Sequence, residues 1–126
     1  MNELHKRIYV SAESITRYAK SIEFSVPTSS GELIAPATMP IIFWSEFDIP
    51  WLPMNGPLIH GSQQFSYEAP LTAGMTLDCE LSLQKVEKKA GRHGNLTLYT
   101  HRLVCTSENK LIVTAETVLI SVGDGI

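Results

Sequence analysis

Three features of the chain predict an α+β fold, in which a curved antiparallel sheet wraps around a long buried central helix. The first is Ile41-Ile42-Phe43-Trp44-Ser45-Glu46-Phe47, a stretch apolar on nearly every side, which as a helix has to lie inside something. The second is a change at residue 58 from helical to alternating periodicity, with enough chain beyond it for at least four strands. The third is length. At 126 residues the chain reads as a single domain, 1–126, and in one small domain a curled sheet can cover such a helix.

The elements follow in order. Ser11 is placed to cap a short helix whose apolar residues Ile15, Tyr18, Ala19 and Ile22 fall on one face. Pro27, Ser29, Ser30 and Gly31 make a loop, and Ala35-Pro36-Ala37-Thr38-Met39-Pro40 leads into the apolar helix. Its prolines stand only at the entrance, where a missing backbone donor does no harm. Beyond Glu46 and Asp48, the breakers Pro50, Pro53, Asn55, Gly56 and Pro57 force an irregular connection. Leu58 to Tyr67 reads as a strand with Phe65 and Tyr67 on one face. Leu77, Cys79, Leu81 and Leu83 then alternate with Asp78, Glu80, Ser82 and Gln84, as in a strand with one solvated side. Residues 96–105 and 111–122 supply two more strands. Turn-like connections at 88–95 and 107–110 make the last three an antiparallel meander.

Composition narrows the function. Hydrophobic residues make up 44% and charged residues 18%, which suits a filled core and excludes a disordered chain. The net charge of -3 is spread evenly, with four Lys/Arg against six Asp/Glu in residues 1–63 and six against seven in 64–126, so no nucleic-acid partner is implied. Cys79 and Cys105 lack C-x-x-C spacing and read as buried free thiols. No metal site or cofactor is expected. The N-terminus lacks a signal-peptide core, and no apolar run approaches the ~20 residues that span a bilayer, so a cytoplasmic protein away from membranes is expected.

Three segments together resemble the MaoC-like hot-dog dehydratases and hydratases, in particular the N-terminal type related to fungal fatty-acid-synthase dehydratases. Ile15-Thr16-Arg17-Tyr18-Ala19-Lys20 looks like that family's first helix, and Ile34-Ala35-Pro36-Ala37-Thr38-Met39-Pro40 is similar to its "APPTF" approach to the central helix. Leu58-Ile59-His60-Gly61-Ser62-Gln63-Gln64-Phe65-Ser66-Tyr67, continuing through Pro70 and Gly74 to Leu77, looks like its "LHGEQ-F-Y-RP-x-x-G-D-x-L" stretch. The resemblance implies a hot-dog fold that binds an acyl thioester, on CoA or acyl carrier protein, and adds water to or removes it from the 2,3 bond. Such chemistry needs an acid, a base and donors to the thioester oxygen. Catalytic members carry the acid-base pair in G-D-x-N-P-x-H after the first helix. Here, with Pro27 as the motif's proline, Phe24 replaces the aspartate, Val26 the asparagine and Ser29 the histidine; a one-residue shift brings Glu23 near the aspartate's place. The resemblance therefore implies a substrate-shaping, non-catalytic partner, working in a homodimer or in a heterodimer with a catalytic hot-dog subunit. An acyl-CoA thioesterase using Glu46 or Asp48, or a non-catalytic acyl-CoA-binding module, are the alternatives.

Two readings stand for each residue of interest. His60 either polarises a thioester carbonyl as a catalytic group or fixes the strand's start by bonding loop backbone. Ala35, Thr38 and Met39 either present helix N–H groups to the substrate or form an ordinary helix entrance capped by Thr38. Phe43, Trp44 and Phe47 line an acyl channel or simply fill the core, and Gly61 and Ser62 contact substrate or mark a tight strand start. Lys85, Lys88, Lys89 and Arg92 steer phosphates or form a solvated turn. Trp51 anchors the long loop or joins a subunit interface.

Overall fold

The alternating region after residue 58 folds into four long strands: β4 (Leu58–Tyr67), β5 (Thr76–Gly91), β6 (Gly94–Ser107) and β7 (Lys110–Val122). The computed structural model describes residues 3–25, 28–29, 32–52, 58–92 and 94–122, with backbone alone for Thr28, Ser29 and Glu32. A further strand, β1 (Glu3–Tyr9), completes a five-stranded antiparallel sheet of order β1-β5-β6-β7-β4. β2 (Thr28–Ser29) and β3 (Glu32–Leu33) form a separate two-stranded ribbon. β5, β6 and β7 are the expected meander, whereas β4 skips its neighbour in sequence and pairs with β7, Tyr67 opposite Val113. The β6–β7 turn at Glu108 and Asn109 has φ of 50° and 64°, the left-handed pair whose twist suits a two-residue hairpin.

One face of the sheet carries the core. Leu77, Cys79 and Leu81 of β5, Leu103 and Cys105 of β6, and Val113 and Ala115 of β7 are all buried there. Cys79 and Cys105 are directly opposed free thiols with Sγ atoms 3.4 Å apart; the hydrogen bond between them and burial push the Cys105 thiol far above its ordinary range, so it stays protonated. Over this face lie α1 (Ala12–Ser21), through Ile15 and Ala19, and a 3-10 helix (Met39–Glu46), through Met39, Pro40 and Phe43.

That second helix is shorter and tighter than expected. It has eight residues in 3-10 geometry, and Ile42 on its far side is 39% exposed. Pro40 removes a backbone donor in the first turn, and β-branched Ile41 and Ile42 favour a helix weakly, so nothing extends it before the following prolines.

Ser11 caps α1 as expected, its hydroxyl accepting from Ser14 N at 3.0 Å. At the other end Glu23 adopts φ 54°, its N–H bonded to Lys20 O, while Phe24 N bonds to Ala19 O. These are the paired bonds of a Schellman stop, with glutamate where glycine is usual. Replacing Glu23 with Gly should relieve the left-handed strain of about 1 kcal/mol and raise the thermal midpoint by several degrees, measured by calorimetry, whereas Glu23→Val should lower it.

Candidate functional site

Two tyrosines hold the entrance of the 3-10 helix. Tyr18 of α1 and Thr38 share a hydroxyl hydrogen bond of 2.7 Å, and the Tyr67 hydroxyl of β4 donates to Ala37 O at 2.7 Å. Thr38 thus spends its hydroxyl on Tyr18 and makes no side-chain cap for its own helix. Burial raises the Tyr67 phenol well above its ordinary range, with Cys105 and Tyr18 adding to the effect, so it remains a donor at any physiological pH. Beside this entrance lies a mostly apolar cleft of about 380 Å³, lined by Ile34, Ala35, Ala37, Tyr67, Glu68 and Leu71 among others, a volume suited to a small ligand.

The residues expected at the site divide into two groups. Ala35 borders the cleft and Thr38 stands exposed at the helix entrance, but Met39 and Phe43 are 1% and 3% exposed and belong to the core. His60, Gly61 and Ser62 lie at the opposite end of β4 from Tyr67, roughly 20 Å along the strand, so the chain does not bring them to the helix entrance. A bulge falls between His60 and Ser62. Glycine fits closely at 61, since a Cβ there would meet Ile120 Cδ1 at 2.8 Å and Val118 O at 3.3 Å and require the Ile120 side chain to shift. The exposed His60 donates from Nε2 to Gln63 Oε1 at 3.0 Å. Thr117 Oγ1 donates to the same Gln63 oxygen at 2.7 Å, and the buried Gln63 Nε2 has no hydrogen-bond partner among the described residues. Glu23 is exposed. Ser29 is described by its backbone in β2 alone, and Val26 and Pro27 lie outside the described residues.

The most enclosed ionisable ring is His101 on β6, fully buried between two indoles. Trp51 Nε1 donates to His101 Nε2 at 2.9 Å, with the rings 26° apart, and Trp44 of the 3-10 helix meets the imidazole edge-on with centroids 4.8 Å apart. An indole N–H can only donate, so Nε2 keeps its lone pair, and Nδ1 bonds Tyr99 O at 3.1 Å as the protonated nitrogen. Trp51 is therefore an anchor for the loop after the helix. Gln63, Thr117 and His101 occupy one cross-strand row, since Thr117 is paired with both of the others.

Other charged groups lie away from the cleft. Glu46 and Asp48 are exposed at the far end of the 3-10 helix. Lys85 pairs with Glu87 at 3.3 Å, and Lys88, Lys89 and Arg92 are exposed along the β5–β6 hairpin. Among the described residues, potential metal-ligating atoms of Glu3, His5 and Glu80 lie within 4.8 Å of one another, at the β1 edge of the sheet. The inward alternation of Leu103 and Cys105 extends to His101, and that signal was in the sequence. The Gln63–Thr117 contact needs the β4–β7 pairing, which no local pattern announces.

Burial lowers the His101 pKa from the ordinary 6.5, against smaller upward effects of hydrogen bonding with the backbone of Tyr99 and Thr117. The folded chain thus takes up fewer protons than the unfolded one just below that value. Stability from neutral His101 is complete above pH 6.5 and is lost as the pH falls toward the lowered folded value. The thermal midpoint should drop as the pH falls below 6.5, and His101→Phe should flatten this part of the profile even if it lowers the midpoint overall.

Comparison with known proteins supplies the family. The family described as FAS1-like, dehydratase domain region, matches residues 3–115. A UPF0336 protein of Thermobifida fusca (strain YX) is 32% identical over 99 residues, 74% of this chain and 63% of that protein, so the chain matches under two-thirds of its relative's length. The C-terminally truncated HadBC (3R-hydroxyacyl-ACP dehydratase) complex of Mycobacterium tuberculosis aligns with TM-score 0.72 at 19% identity, covering 95% of this chain and 96% of that one. The MaoC-like dehydratase of Rhodospirillum rubrum aligns with TM-score 0.69 at 12% identity, covering 99% and 93%. With residues 3–115 matched and the hot-dog sheet in place, the chain belongs to the FAS1-like dehydratase-region family of MaoC-like hot-dog proteins.

Proposed function

We propose that the chain is the substrate-shaping, non-catalytic hot-dog subunit of an (R)-specific enoyl hydratase or 3-hydroxyacyl dehydratase, binding an acyl-CoA or acyl-ACP thioester beside a catalytic hot-dog subunit. The observation that carries this reading is the contrast between the two edges of the sheet. β1 bears Glu3, His5, Lys6 and Arg7, charges that deter another strand. β4 has no Asp, Glu, Lys or Arg in its ten residues and, among the described residues, leaves one side unpaired, with Leu58 and Ile59 exposed. An edge of that kind suits pairing with a second hot dog, and the similar HadBC is itself a complex. Phe24 and Ser29 in place of the acid-base pair agree with a partner that supplies the proton transfers.

On this reading His60 stands at the pairing edge, its ring oriented by Gln63. Gly61 and Ser62 approach the thioester there, while Ala35 borders the 380 Å³ cleft and Thr38 stands exposed at the helix entrance, bonded to Tyr18. Met39 and Phe43 act by supporting that wall from within. The thioesterase alternative loses Glu46 and Asp48, which stand at the far end of the helix, but Glu68 puts one carboxylate on the wall of the cleft.

The purified chain alone should hydrate crotonyl-CoA no faster than buffer, and adding a second hot dog with an intact D-x-N-P-x-H motif should give turnover. Release of free CoA by the chain alone would instead support the thioesterase. Within the active assembly, His60→Ala should raise KM for the thioester with kcat little changed, as loss of a binding contact does; a large fall in kcat would put His60 in the chemistry and contradict the non-catalytic role. Ser66→Lys, a charge placed on the β4 edge, should weaken assembly about tenfold or more by sedimentation, leaving the chain folded.

A further inference from the structure

We infer that Glu3, His5 and Glu80 form a binding site for a divalent metal ion of the zinc class, which clamps the edge strand β1 to β5. The alternation of β1 creates the arrangement. Leu4 and Ile8 pack against the core, so Glu3, His5 and Arg7 share the outer face of the sheet. The antiparallel register sets Glu80 of β5 directly opposite His5, and Ser82 opposite Glu3. One ligand atom from each of Glu3, His5 and Glu80 falls within 4.8 Å of the other two, and His5 Nδ1 stands 3.7 Å from Glu80 Oε2. Around a four-coordinate zinc ion with bonds of about 2.0–2.2 Å, ligand atoms lie roughly 3.3–3.6 Å apart. Small side-chain rotations close the difference, and the His5 and Glu80 side chains, 68% and 45% exposed, have room for them.

The surroundings favour a cation. Two carboxylates this close repel each other, and the neighbouring bases are engaged or placed elsewhere. Arg7, next along the same face, bonds Asp78 at 3.2 Å, and Lys6 alternates to the other face. On β6 the residue opposite Glu80 is the apolar Val104, while Arg102 lies one row along, between Ser82 and Glu116. An imidazole nitrogen among carboxylate oxygens suits zinc better than magnesium or calcium, which prefer oxygen alone. Three protein ligands leave a coordination position for water, and an open groove of about 570 Å³ beside the cluster, lined by His5, Arg7, Asp78 and Glu80 among others, gives access to it. β1 stands at the end of the sheet and pairs with β5 alone, so a metal ion bonded to both strands adds a tie where the sheet has one neighbour to offer. Local spacing gives no sign of the site, because Glu80 joins it only through that pairing.

Calorimetric titration of the untagged chain with zinc chloride, after removal of metal with EDTA, tests this. Wild type should bind zinc far more tightly than magnesium, and His5→Ala and Glu80→Gln should each weaken zinc affinity about tenfold or more. His60→Ala should bind zinc as wild type does; loss of binding there would put the ion at His60 instead. Hydrogen exchange reads the clamp directly. Zinc should slow the β1 amides that bond β5 in wild type and leave them unaltered in His5→Ala. Circular dichroism of the variants guards against a folding defect, which substitutions at such accessible side chains should not cause. Absence of zinc binding by wild type, an affinity that neither His5→Ala nor Glu80→Gln reduces, or β1 exchange indifferent to bound zinc would overturn the proposal.

Discussion

Strands of 13 to 16 residues in β5, β6 and β7 and a cover helix of eight residues are mismatched in length, and the rest of the chain is arranged around that mismatch. At about 3.3 Å per strand residue and about 2.0 Å per residue of 3-10 helix, the cover reaches less than half the span of the sheet. α1 closes one end through Ile15 and Ala19. The loop after the helix extends the cover at the other by laying Phe47, Ile49 and Trp51 against the core, with the Trp51–His101 bond as its fastening. A buried imidazole paired with an indole serves here because it faces both ways, bonding strand backbone through Nδ1 and the loop through Nε2.

The same shortage of cover explains where the polar groups collect. Beneath the helix the inner face is Leu, Cys, Val and Ala, and at its far end the rows turn to His101, Thr117 and Gln63, then to Thr97 and Ser121. Gln63 completes this picture. Its oxygen takes both Thr117 and His60 while its buried nitrogen has no partner among the described residues, an unfavourable arrangement of order 1–3 kcal/mol. It lies on β4, whose outer side is unpaired among the described residues and carries no Asp, Glu, Lys or Arg, so an unsatisfied polar group and a weakly defended edge coincide.

Much of this was legible in the sequence. Alternation announced β4 to β7, Ser11 announced the start of α1, and apolar density announced the segment that crosses the inner face. The charged strand β1 was not legible, because Glu3, His5, Lys6 and Arg7 mask its period; it forms through backbone pairing with β5, which no local pattern reveals. The length of the cover helix was overread, since uniform hydrophobicity says that a segment is buried and not which helical geometry it takes. At the candidate site, His60, Gly61 and Ser62 were identifiable as a strand start, but their distance from the helix entrance depends on β4 running its full length before Tyr67 reaches Ala37.

The account turns on β4 being the edge that a second hot dog completes. Hydrogen exchange of the chain, alone and with the proposed catalytic hot-dog subunit added, tests this at the strand itself. The β4 amides that make no bond to β7 should exchange rapidly in the isolated chain and slow markedly in the assembly, while the outer amides of β1 exchange at the same rate in both. Unchanged β4 exchange in a stable assembly, or slowing confined to β1, would contradict it.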